Sequence, residues 1–173
     1  MRDLTVATTH TYYVIAGNEP VLVHNNNGCF DAEAAAEGLP EWSEGQTTFG
    51  RASGRDANGS AVDFDLLWSG DKKNHAGLIG AVNAKLRAAG ILRGSSNSAR
   101  ASDLEQKFAA LMNRRGIVDA DVVINNPNGP CQVRLGCDQT LNHILDSNRG
   151  LSVHWRDNDG VWQRADYGTR RRR

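Results

Sequence analysis

The chain has 173 residues, 39% of them hydrophobic and 23% charged, with twenty basic side chains balanced by twenty acidic ones. This composition excludes a disordered or fibrous chain, and the zero net charge excludes a constitutive nucleic-acid coat without excluding an enzyme that takes a single base into a pocket. No stretch approaches the roughly 20 apolar residues of a membrane span and no signal peptide is recognisable, so no membrane partner is expected and export is expected to depend on a signal elsewhere. In chain order, Thr5-Val6-Ala7, residues 11–15 and residues 21–23 are β-branched and aromatic runs, the last two separated by Gly17-Asn18-Glu19-Pro20 as a turn. Two or three strands cannot bury a core alone, so residues 1–25 read as the end of a larger sheet. Residues 26–46 read as a linker, with a short helix over 30–39 closed by Gly38 and Pro40. Residues 49–68 read as a hairpin around Asn58-Gly59. Leu78, Val82, Leu86 and Ala89 mark a helix ending at Gly90, and Leu104, Phe108, Leu111 and Met112 mark a second from 102 to about 115. A short strand at 121–125, a turn at 126–130, a third helix at 138–145 and a strand at 151–155 follow. The alternation predicts an α/β sandwich, helices packed on a mixed sheet, and nothing in the pattern calls for an oligomer.

Two pieces of this sequence carry chemistry. Asp103-Leu104-Glu105 opens the second helix, and Pro130-Cys131 with Gly136-Cys137 leads into the third. Zinc deaminases have such an order: H-x-E opens one helix and P-C-x-x-C another, so that three ligands and a glutamate converge. Thiolates and one further donor hold zinc with a fourth position left for water, which the metal makes acidic enough to supply hydroxide near neutral pH. The glutamate, here Glu105, is the proton shuttle. Asp103 stands where histidine is usual; a carboxylate oxygen can bind zinc, and it leaves the site one charge more negative, predicting a slower enzyme or a higher pH optimum. Plain alternatives stand beside each piece. Ser102 and Glu105 form a good capping box, Asp103 suits a helix N-terminus without any metal, and Cys131 and Cys137, five residues apart rather than two, could be buried thiols or a small disulfide loop. Cys29 is distant and separate.

Residues 9–25, THTYYVIAGNEPVLVHN, resemble the C-terminal end of a Hint-type self-processing domain of the kind found before bacterial toxin domains. The resemblance implies that His24 and Asn25 match the pair that performs cleavage, Asn25 through its amide and His24 assisting. The nucleophile-bearing half is not in this sequence, so self-cleavage by this chain is not expected.

Residues 101–155 resemble the DddA-like deaminase domain of bacterial toxins. Glu105, Ile124-Asn125-Asn126-Pro127, Gly129-Pro130-Cys131, Gly136-Cys137 and Leu151-Ser152-Val153-His154-Trp155 carry the likeness. It implies a cytidine-deaminase-like three-layer sandwich over residues 47–165 with a basic tail at 166–173. It also implies Zn2+ held by Asp103, Cys131 and Cys137, and deamination of cytosine to uracil in DNA, single- or double-stranded. The protein would then be a monomeric secreted effector, delivered into the cytoplasm of a target cell and countered by a cognate immunity protein. Asn125, Asn126 and Pro130 are the candidate base-binding residues, although turn chemistry also explains the asparagines. His75 and His143 read as surface or core histidines, and Trp155 and Trp162 as core or rim aromatics that could stack on a base. Two other readings remain open: a nuclease warhead, for which no catalytic cluster is visible, and a degenerate deaminase fold that only binds nucleic acid or an immunity protein.

Overall fold

The computed structural model describes residues 11–16, 19–24, 30–71 and 77–169. They divide into two compact units, Met1–Phe30 and Asp31–Arg173. In the first, β1 (Thr11–Ala16) and β2 (Glu19–His24) pair antiparallel, Thr11 opposite His24 and Ala16 opposite Glu19. Thr5-Val6-Ala7, Asn25, Cys29, His75 and the run from Arg170 to Arg173 lie outside the described residues.

The second unit runs α1 (Ala32–Ala36), β3 (Phe49–Asp56), β4 (Ala61–Trp68), α2 (Leu78–Ala88), α3 (Leu104–Arg115), β5 (Ile117–Ile124), α4 (Cys137–Ile144), β6 (Gly150–Arg156) and β7 (Trp162–Gly168). The five strands form one mixed sheet in the order β4-β3-β5-β6-β7, in which β5 and β6 are parallel and every other pair is antiparallel. A parallel pair cannot be joined by a tight turn. The chain leaves β5, passes through the cysteine loop and α4, and returns as β6, so the crossover itself carries the cysteines.

Period-2 alternation along the central strands sorts the two faces. Ala120, Val122 and Ile124 of β5 and Leu151 and Val153 of β6 join one apolar cluster with Leu78, Val82 and Leu86 of α2, Leu104, Phe108 and Met112 of α3, and Leu141 and Ile144 of α4. The Phe64 ring of β4 meets Phe108 edge-on, centroids 5.1 Å apart. On the other face, Arg51 lies opposite Val123 across β3 and β5, and His154 opposite Val123 across β5 and β6. Here α1 is tied down: Arg51 donates to the Glu37 carbonyl, and Arg156, two residues beyond His154, pairs with Glu33 at 2.9 Å. Helices thus cover both faces of the sheet, as a three-layer sandwich requires. The 26–46 stretch expected as a linker therefore contributes a helix to the same compact unit as the sheet.

Two of the helices, α1 and α4, carry local signals. Asp31 caps α1 by accepting from the Ala34 N–H. In α4, Cys137, Thr140, Leu141 and Ile144 are buried at the i, i+3, i+4, i+7 spacing of a one-sided stripe. In α3, the run from Leu104 to Ala110 is buried without a break, Glu105, Gln106 and Lys107 included; this helix runs through the interior. Asn113 near its end donates to the Ile144 carbonyl at 2.7 Å and accepts from the Asp146 N–H at 3.0 Å, satisfying the end of α4.

The structure differs from the sequence reading in three places. The strand expected at 121–125 is the second half of an eight-residue strand. β7 carries no strand signal in the sequence: in WQRADYG only Tyr167 is buried, and polar Gln163 stands on the same face as Ala165 and Tyr167, so the apolar alternation spans only two residues. The capping box is corrected: α3 starts one residue later than Ser102 predicts, with Asp103 at the N-cap and making no side-chain cap bond. The Leu104 N–H is instead satisfied by the Ser69 hydroxyl at 3.1 Å, a partner from beyond β4 that no local motif announces.

Candidate metal and proton-transfer site

At the N-cap an aspartate ordinarily turns its carboxylate back onto the helix N–H groups. Asp103 does not. Its Oδ2 lies 3.2 Å from the Sγ of Cys131 and 3.8 Å from the Sγ of Cys137, and one donor atom from each of the three residues lies within 4.8 Å of the others. Both cysteines are thiols outside any disulfide. Zinc bonds of about 2.3 Å to sulfur and 2.0–2.2 Å to oxygen, disposed tetrahedrally, require donors roughly 3.5–3.8 Å apart. The donor set and its spacing fit a zinc ion with a fourth position unassigned.

The cysteine loop is folded tightly enough to hold that spacing. Cys131 Sγ accepts the Cys137 N–H at 3.1 Å, the Cys131 carbonyl accepts from Asp138 at 3.2 Å, and the Val133 carbonyl accepts from Gly136 at 2.7 Å. Two glycines make this possible. A Cβ on Gly136 would stand 2.3 Å from the Cys131 carbonyl oxygen and 2.7 Å from that of Val133, both backbone atoms. Gly129 has φ of +67°, and a Cβ there would enter the Trp155 ring at 2.5 Å, so Trp155 is the wall against which the approach to Cys131 is laid. Gly136→Ala is expected to destabilise the protein by about 1–3 kcal/mol, the usual range for overpacking; a denaturation midpoint equal to wild type would count against this account of the loop.

Behind the triad stands Glu105, in the first turn of α3, where every residue from Leu104 to Ala110 is buried. It is 4% exposed, and its Oε2 lies 3.4 Å from Cys137 Sγ. Burial, reinforced by the charge of Asp103, raises its carboxyl to about 7. Asp103 is raised as well, chiefly by burial, with the Cys131 contact and Arg100 opposing. The thiols are split. Cys131 is lowered, first by the hydrogen bond it accepts from Cys137, and Cys137 is raised, first by donating that bond and then by burial. Cys131 is therefore the thiol that ionises first.

The other sequence candidates fall elsewhere. Asn125 accepts from the Phe49 N–H at 2.8 Å and donates to the Pro40 carbonyl at 2.8 Å, leaving one lone pair and one N–H for anything else. Asn126 accepts from the Asn128 N–H at 3.0 Å, an Asx turn, and Pro130 is buried beside Cys131. His143 is exposed. His154 faces Asp121 at 2.9 Å on the opposite side of the sheet from the triad. Trp162 stacks under the Arg156 guanidinium, 5.1 Å from the ring centroid. His24 ends β2, in the other unit.

Two residues gave no signal in the sequence. Lys107 is 2% exposed, and its ammonium donates to the carbonyls of Trp68 at 2.8 Å and Gly70 at 2.6 Å. Gln106 is fully buried and donates to the Leu135 carbonyl at 3.0 Å. Polar residues at these positions read as the solvated face of a helix; only the packing of α3 on three sides reverses that.

A carboxylate and two thiols at the adjoining starts of two helices form a candidate metal-donor set, with a buried carboxylic acid poised near neutrality beside it. Residues 24–170 match the sequence model of the SCP1.201-like deaminases, and the chain belongs to that family. No curated protein matches the chain.

Proposed function

We propose that this protein is a zinc-dependent deaminase that hydrolyses cytosine to uracil in DNA, and that it acts as the C-terminal toxin of a secreted interbacterial effector. The observation that carries the catalytic half is the convergence of Asp103, Cys131 and Cys137 beside buried Glu105. Asp103, Cys131 and Cys137 hold the metal. Zinc, when bound, supplies a Lewis acid that makes water nucleophilic at neutral pH.

The chain's own groups do the rest. In the metal-free fold the Glu105 carboxyl is raised to about 7, so it exchanges a proton near neutral pH, as a group that both takes and gives one should. It accepts one proton from the attacking water and passes it to the ring nitrogen, then takes the proton remaining on the added hydroxyl and delivers it to the amine, which leaves as ammonia as the carbonyl forms. Burial raises the Asp103 carboxyl, and the Cys131 contact, Arg100 and the Lys107 ammonium, held by two carbonyls one turn further along α3, oppose that rise.

The substrate and biological context rest on the resemblance of residues 101–155 to DddA-like toxin domains and of residues 9–25 to a Hint-type remnant, with His24 and Asn25 at the cleavage positions. On that reading the partners are DNA and a cognate immunity protein, and the site of action is the cytoplasm of a target cell. Incubating the protein with single- and double-stranded DNA containing cytosine, then treating with uracil glycosylase and alkali, should yield strand breaks at cytosines. Intact DNA of both kinds would refute the proposal.

A further inference from the structure

Leu135 has φ of +61°, a left-handed backbone conformation that a leucine rarely adopts. It sits in the loop between Cys131 and Cys137, and it is held from both sides by glutamine side chains. Its N–H donates to Gln139 Oε1 at 3.3 Å, and its carbonyl accepts from Gln106 Nε2 at 3.0 Å. The two ties differ. Gln139 lies on the exposed face of α4 within the same segment as the loop, whereas Gln106 reaches across from α3, is fully buried, and follows Glu105 directly in the chain.

Gln106 is also an expensive choice for that position. Its Oε1 is buried and makes no hydrogen bond, and a buried polar atom without a partner is destabilising. An apolar side chain of the same size would avoid this. What an apolar side chain could not do is fix the Leu135 carbonyl, and with it the peptide that leads into Gly136 and Cys137.

We propose that Gln106 is the positioning residue that keeps the cysteine loop in register with Glu105, by clamping Leu135 in its left-handed conformation. It touches neither metal nor substrate. The Glu105–Cys137 spacing of 3.4 Å spans two segments far apart in sequence, and the Gln106–Leu135 bond is a direct tether between them that adjoins both. The role in metal binding rests on the zinc reading above; the hold on the loop does not.

Gln106→Met keeps the volume and removes the donor together with the orphaned acceptor, so the melting temperature should stay close to wild type. Gln106→Leu, which fills the space differently, is run beside it. In metal-free protein, hydrogen–deuterium exchange of the Leu135, Gly136 and Cys137 amides, the three in the loop that have acceptors, should speed at least tenfold in both variants, while exchange in β5 and the rest of α3 holds. Zinc affinity, measured by competition with a chromogenic chelator, should weaken by about 10- to 100-fold, the usual loss when a group orienting metal ligands is removed. Unchanged loop exchange in either folded variant overturns the proposal, as does loss of protection spread evenly over the whole unit. If wild type takes up no zinc, the zinc reading fails while the exchange experiment still decides the role of Gln106.

Discussion

Glu105→Gln should abolish most activity and, at the same time, make the metal-free protein more stable at alkaline pH. The activity side follows from its assigned role: removing a general acid–base group costs about 10²–10⁴ in rate. The stability side follows from burial. The folded carboxyl titrates at about 7 against 4.5 for an unperturbed one, so folding favours its protonated form. That contribution is fully present below about pH 4.5 and is lost as pH rises through 7. Above pH 7 the fold holds an ionised buried carboxylate at a cost of about 3 kcal/mol. Asp103, also raised, acts in the same direction. Glutamine is neutral throughout, so at pH 8 the variant should melt about 6–12 °C above wild type, and at pH 4 the two should converge. Calorimetry of chelator-treated protein at both pH values checks this; a variant less stable than wild type at pH 8 would mean that the Glu105 carboxylate is satisfied in the fold.

Cys131→Ala should eliminate metal uptake and deamination together. Wild type is expected to bind about one equivalent of zinc, and the variant none, by elemental analysis after dialysis. Zinc at 1,000 times its Kd stabilises a folded protein by about 4 kcal/mol, so wild type should show a metal-dependent rise in melting temperature that the variant lacks. The reason for choosing Cys131 is geometric: its Sγ touches Asp103 and also accepts the Cys137 N–H, so its removal takes one donor and loosens the loop that presents another. Asp103→His offers the complementary comparison. It removes one negative charge from the donor set, and the pH–rate profile should shift to lower pH; an unchanged profile would show that residue 103 has no part in setting the charge of the centre.

Much of this site was legible in the sequence, for identifiable reasons. Cysteines after a proline and before a helix, and an Asp-x-Glu at the start of another, are local features whose chemistry does not depend on knowing the fold. The α/β class followed from alternating periods of 2 and 3.6. The resemblance added the expectation that the two pieces meet, and the structure brings Asp103, Cys131 and Cys137 within 4.8 Å.

What local pattern could not reveal was set by partners distant in the chain. Asp103, at the N-cap of α3, makes no cap bond and lies against two thiols about 30 residues further along the chain, while the Leu104 N–H is met by Ser69, 35 positions before it. Glu105 is raised because the first half of α3, Leu104 to Ala110, is buried and Asp103 lies beside it, and a sequence window that shows Glu, Gln and Lys in succession predicts the opposite. β7 has too few apolar residues on its inward face, Ala165 and Tyr167 alone, to show a strand period, and its place is set by pairing with β6. The amino-acid sequence by itself thus determined the donor types, their order and the class of fold. The tertiary structure alone decided their protonation, since only burial and neighbouring charge move a carboxyl from 4.5 to about 7.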